Sequence, residues 1–116
     1  MGLVTYSNNI KNKYLNVPND ILNTVGAVSK ETAEAMARGI VQAADSDIGV
    51  GITGIAGPTG GTPEKPVGLV YYSIYFKHMN KIIVEKLLLD GSRDEIRNNT
   101  VKLVIERLIS ELNSEV

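Results

Sequence analysis

Residues 49–68 read GVGITGIAGPTGGTPEKPVG. The stretch leaves an apolar run, Ile48 to Ile52, and passes through Thr53, Gly54, Ala56, Gly57, Gly60 and Gly61. It closes on Pro63 and Pro66, which flank Glu64 and Lys65. A short β-branched run that ends in glycines reads as a strand feeding a loop. Glycine admits positive φ and lets backbone N–H groups approach a ligand with no Cβ in the way. A loop of this kind at a strand end is a candidate anion or nucleotide site, and a long surface turn is the plain alternative. The spacing is not that of a P-loop, because no Gly-Lys-Ser/Thr follows and Lys65 precedes a proline. It is not a dinucleotide fingerprint either, because Pro58 and Pro63 interrupt the glycines.

Outward from the loop, Val67 to Phe76 (VGLVYYSIYF) is β-branched and aromatic, as a central strand is. His78-Met79-Asn80 reads as a turn, and Ile82 to Leu89 as a further strand, so the two predict an antiparallel hairpin. On the other side, Ser29 is the N-cap of a predicted helix from Lys30 to Ala44, with Glu31 in the first turn where the dipole favours a negative charge. Ala33, Met36, Ala37, Ile40, Val41 and Ala44 form an apolar stripe at helical spacing, and its small alanines predict close packing on a sheet. At the N-terminus, Gly2 to Tyr6 (GLVTY) is a short β-type run. Ser7 then caps a helix through Ile10 to Tyr14, and Val17-Pro18-Asn19-Asp20 ends that helix and opens another. At the C-terminus, Asp90-Gly91-Ser92 is a turn and N-cap. The helix from Arg93 to Leu112 places Val101, Val104, Ile105, Leu108 and Leu112 on one face. The prediction is an α/β fold: a three-layer-like mixed sheet with flanking helices, in a single domain over residues 1–116.

Bulk properties narrow the function. The chain has 116 residues and a net charge of −1. No cluster of Lys and Arg interleaves with aromatics, so a nucleic-acid partner is not expected. There is no cysteine, which removes disulfides, thiolate chemistry and zinc–thiolate sites. The one histidine, His78, is too few for a histidine-rich metal centre, and it is expected to be exposed on its turn. Neither a metal nor a cofactor is expected. No apolar run reaches membrane-spanning length, and the N-terminus lacks the pattern of a signal peptide. A cytoplasmic protein with no membrane partner is the expectation.

Three groups have possible chemistry. Tyr6 ends the first predicted strand and Lys11 lies on the next helix. A desolvated lysine loses its proton more readily and can then act as general base for a hydroxyl nucleophile, and a nearby tyrosine can relay that proton. Thr53 and Gly54 end a strand, where backbone N–H groups can meet a phosphate or an oxyanion. Arg93 and Arg97 open the last helix, where the dipole already favours anions. Cations there serve either a phosphate or an ion pair with Asp90, Asp94 or Glu95.

The blocks VTYSNNIK, GAVSKETAEAMARG, GITGIAGPTGGTPEKPVG and GSRDEIR together resemble the C-terminal domain of the CinA competence/damage-inducible family. They occur in family order from Gly2 to the last helix. The resemblance implies a nicotinamide-nucleotide amidase, which hydrolyses the amide of nicotinamide mononucleotide to nicotinic acid mononucleotide and ammonia. This is a step of pyridine nucleotide salvage that uses a serine nucleophile and no metal. It implies catalytic roles for Tyr6 and Lys11. It also implies substrate contacts at Thr53 and Arg93, with Gly54, Ala56 and Gly57 in the substrate-side loop. The family's serine lies in a Thr-Ala-Glu-Ser-Cys-Thr-Gly-Gly run on a strand–helix unit ahead of the VTYS strand, and no such run occurs in this sequence. The expectation is therefore a truncated domain, lacking the family's first strand–helix unit and inactive alone. A sheet edge left unpaired by that loss predicts a dimer or a domain-swapped oligomer. A non-catalytic nucleotide-binding or regulatory module, or a competence/damage-associated interaction domain, is the alternative.

Overall fold

A computed structural model describes residues 1–5 and 7–114. The element order is α1 (Asn8–Leu15), α2 (Asn19–Thr24), α3 (Lys30–Ala44), β1 (Ile48–Gly54), β2 (Leu69–Phe76), β3 (Lys81–Leu88) and α4 (Arg93–Ser114). The α/β class expected from the sequence holds, and the helix from Lys30 to Ala44 has the predicted bounds. The sheet order is β1-β2-β3. Lys77 N donates to Asp47 O at one end of the β1–β2 pair, and Ile55 N donates to Leu69 O at the other, so these strands run antiparallel. The mixed sheet expected from the sequence would require the Gly2–Tyr6 run to join as a strand. Residues 1–5 carry no regular secondary structure. A β-type sequence becomes a strand only when a neighbouring strand completes its ladder.

The chain sorts into two compact units, Met1–Gly54 with Tyr71–Lys86, and Ile55–Val70 with Leu87–Val116. In the first unit, Leu15, Val17, Leu22 and Met36 form a buried cluster, with Ala27, Ala35 and Ile40 packed against it. Helix α3 lies directly on β1. A Cβ on Gly49 would strike Ala37 O, and one on Gly51 would strike Ala33 O. The alternation of glycines along β1 therefore matches the alanines of α3, and the side chains on both surfaces are small because the backbones touch. Ser29 Oγ accepts from Thr32 N at 3.2 Å and caps α3, while Ser7 Oγ accepts from Ile10 N at 3.2 Å and caps α1.

In the second unit, the glycine-rich loop is pinned at its neck. Gly68 N donates to Ile55 O at 2.7 Å, and Ile55 N donates to Leu69 O at 2.9 Å. Inside the loop, Thr62 N donates to Lys65 O at 2.8 Å, and Lys65 N donates to Thr62 Oγ1 at 3.0 Å. Helix α4 opens on a reciprocal box. Glu95 N donates to Ser92 Oγ at 3.2 Å, and Ser92 N donates to Glu95 Oε1 at 3.0 Å. Hydrogen bonds from Ser92 to the carboxylate, its backbone N–H foremost and its hydroxyl second, hold the Glu95 carboxyl below the usual carboxylate range. The buried face of α4 is Ile96, Thr100 and Val104. The apolar face read from the sequence is rotated relative to it, because Val101, Ile105 and Leu112 are exposed.

Candidate functional site

Lys11 is the buried cation of the first unit. It is 7% exposed, and its ammonium donates to Thr5 O at 2.8 Å. Helix α1 holds it from both sides, since Lys11 N donates to Ser7 O and Val17 N donates to Lys11 O. Among the described residues Lys11 has no carboxylate partner. Burial without a counter-charge lowers its pKa from the ordinary lysine value. A lysine in this state is a competent proton acceptor at a pH where a solvated lysine is not. Tyr6, its expected companion, lies outside the described residues.

Thr53 is buried on β1, and its Oγ1 donates to Ala27 O at 2.6 Å. That bond occupies the hydroxyl proton and leaves the oxygen's lone pairs to accept. Gly54 ends β1 and is exposed. His78 is exposed as expected, and its Nε2 lies 2.7 Å from Asp47 Oδ1.

The second unit carries the other expected residues. Gly57 is buried with φ +82, and the Gly57–Pro58 peptide is cis. A Cβ at Gly57 would lie 2.6 Å from Val67 Cγ1. Ala56 is half-buried. Among the described residues, the backbone N–H groups of Ala56 and Gly57 meet no acceptor. Arg93 Nη1 donates to Gly57 O at 2.9 Å across 36 residues of sequence. The same arginine makes no ion pair among the described residues, so the sequence's alternative of a partner at Asp90, Asp94 or Glu95 is not realised there. Two unpaired N–H groups and a guanidinium fixed to the same loop form a donor set suited to an anionic oxygen. Sequence reasoning named each of these residues but not the Arg93–Gly57 bond, which no spacing rule reveals.

The family model of the CinA C-terminal domain matches residues 1–112. A CinA-like protein of Kosmotoga olearia is 52% identical over 105 residues, which are 90% of this chain and 25% of that protein. A putative competence-damage inducible protein of Clostridium tetani is 47% identical over 111 residues, 96% of this chain and 27% of its own length. The chain thus spans about a quarter of the curated relatives it matches. Among solved structures, the competence/damage inducible protein CihA of Agrobacterium tumefaciens superposes with a TM-score of 0.89 at 41% identity, covering 94% of this chain and 66% of that one. A CinA superfamily protein of Klebsiella pneumoniae 700603 superposes with a TM-score of 0.91 at 29% identity, covering 97% and 69%.

Proposed function

The chain belongs to the CinA C-terminal domain family, and from that premise we propose that it forms the base-bearing and substrate-bearing part of a nicotinamide-nucleotide amidase. One observation carries the reading. Lys11 is buried, and among the described residues it has no counter-charge and its ammonium is held by one carbonyl, at 2.8 Å. A structural lysine gains nothing from that environment, whereas a general base gains a lowered pKa. Lys11 takes the proton of a serine hydroxyl as the hydroxyl attacks the amide carbon, and returns it to the leaving ammonia. The reaction requires a serine nucleophile, and the family's serine motif does not occur in these 116 residues. Tyr6 orients the lysine or relays its proton. Thr53 accepts from the substrate through its free lone pairs. Within the second unit, Arg93 and the N–H groups of Ala56 and Gly57 form a donor set for an anionic oxygen such as that of a nucleotide phosphate.

The test is ammonia release from nicotinamide mononucleotide. The 116-residue chain is expected to release none. A polypeptide extended to include the serine motif is expected to turn over. In that polypeptide Lys11→Ala abolishes release, and Lys11→Arg does too, because a guanidinium does not give up its proton. Activity rises with pH through the lowered lysine pKa. Full activity in Lys11→Arg would refute the assignment.

A second reading is a nucleotide-binding module without turnover. The donor set of Ala56, Gly57 and Arg93 favours it, since that set is complete within this sequence. Calorimetric titration with nicotinamide mononucleotide separates a binder from a structural remnant.

A further inference from the structure

Helix α4 runs 22 residues and buries Ile96, Thr100 and Val104. On a different face it leaves Val101, Ile105, Ile109 and Leu112 at 52%, 50%, 52% and 42% exposure. At about 100° per residue these four side chains fall within an arc of about 80°. A continuous apolar stripe of this kind on a helix marks an interaction face. One flank of the stripe carries Lys102 and Glu106, both exposed. Neither has a partner among the described residues, although they stand four apart on the same helix.

We propose that this face pairs with the same face of a second copy, as two antiparallel α4 helices about a two-fold axis through Ile105. Charge complementarity selects that occupant and that direction. In an antiparallel pair each flank meets the same flank of the other copy. With the axis at Ile105, Val101 lies opposite Ile109 of the second copy, and Ile105 lies opposite itself. Lys102 then stands within about 3 Å along the axis of Glu106 from the second copy, given 1.5 Å of rise per residue. The symmetry makes two such pairs at once. A parallel pair turns this flank toward the opposite flank of the second copy, so Lys102 and Glu106 meet no counterpart there and the two rim pairs form only in the antiparallel arrangement. The stripe supplies affinity by burying apolar area, and the two rim pairs supply register and direction. The proposal is independent of any amidase activity.

Light scattering on the chain is expected to give twice the 12.5 kDa monomer mass. Lys102→Glu alone sets like charges against each other at both pairs and weakens dimerisation by about tenfold, and Glu106→Lys alone does the same. The double variant restores the pairs and returns the dimer toward the starting affinity. Circular dichroism checks that each variant keeps its helix. The chain has no cysteine, so Ile105→Cys places a lone thiol on the axis. It is expected to give a covalent dimer under mild oxidation, while Leu88→Cys, at 65% exposure on β3, stays uncrosslinked. A monomer at high concentration would overturn the proposal. So would a dimer indifferent to the charge swaps, or equal crosslinking at positions 88 and 105.

Discussion

Lys11 is charged in water, and folding removes it from water. Its pKa is lowered by that burial, and the sign for stability follows. Below the folded-state pKa both forms of the chain hold the proton, and the folded one bears the full cost of a buried ammonium. As pH rises past the lowered value the folded state releases its proton first, so stability rises until the unfolded lysine titrates as well. The expected result is greater resistance to urea at pH 10 than at pH 8 from this residue. Lys11→Met is expected to lose that part of the slope, as read from unfolding curves at the two values. Ser73 is a second residue at odds with its surroundings. It is fully buried on β2, and its Oγ has no partner among the described residues. A buried hydroxyl without a hydrogen bond is a cost, so Ser73→Ala is expected to be neutral or to stabilise by up to about 1 kcal/mol. A thermal melt decides it, and a loss of several degrees would contradict the reading. The sequence shows neither fact. Both arise from which side chains fold over a position, and a run such as VYYSIYF says only that Ser73 sits in a strand.

At the scale of elements, local rules carry far. Ser7, Ser29 and Ser92 were each expected as caps, and each accepts from a first-turn N–H. A cap answers to residues three apart, which is why it is readable without the fold. The contact of α3 on β1 was half readable: the alanine stripe predicts a close neighbour, but the glycines of β1 draw attention as a loop signal rather than as packing. With Ala33 O and Ala37 O against them, Gly51→Ala and Gly49→Ala are expected to cost about 1–3 kcal/mol each, as overpacked sites do. Urea unfolding measures this, and a neutral result would mean that α3 lifts off freely. At α4 the box gives a pH-linked prediction. The Glu95 pKa is lowered by its bonds to Ser92, so its contribution is present above the unfolded carboxylate pKa. That contribution is lost as pH falls through the folded value. Glu95→Gln is expected to flatten the acid limb of the stability profile, and Ser92→Ala to cost about 1 kcal/mol. The apolar face of α4 read from the sequence shares Val104 with the buried face and otherwise extends to the exposed Val101, Ile105 and Leu112. Apolar residues occupy more than half of its turn near Val101 to Leu112, so periodicity alone leaves the buried arc undetermined, and only Ile96 and Thr100 fix it.

At the scale of the molecule, balanced charge, absent cysteine and the strand–loop–hairpin order bounded the class, and the long loop block identified the family. What composition and order left open is pairing. The Gly2–Tyr6 run has the residues of a strand, yet residues 1–5 form none, because a ladder needs two partners and a sequence names one. The same logic applies to the ligand. The loop of the second unit offers Ala56 and Gly57 N–H groups and the Arg93 guanidinium whether or not a nucleophile is present. Binding therefore does not require turnover. A ligand that binds only the folded state stabilises it by mass action, by about 2.7 kcal/mol at a hundredfold excess over Kd. For a chain of this size that raises the melting midpoint by roughly 10 °C. Nicotinamide mononucleotide is expected to give this shift, and nicotinamide riboside, which lacks the phosphate, a much smaller one. Arg93→Met is expected to remove most of the difference between the two ligands if, as proposed, the guanidinium meets the phosphate that distinguishes them. Equal shifts from both ligands would assign Arg93 to holding the loop at Gly57 O and nothing more.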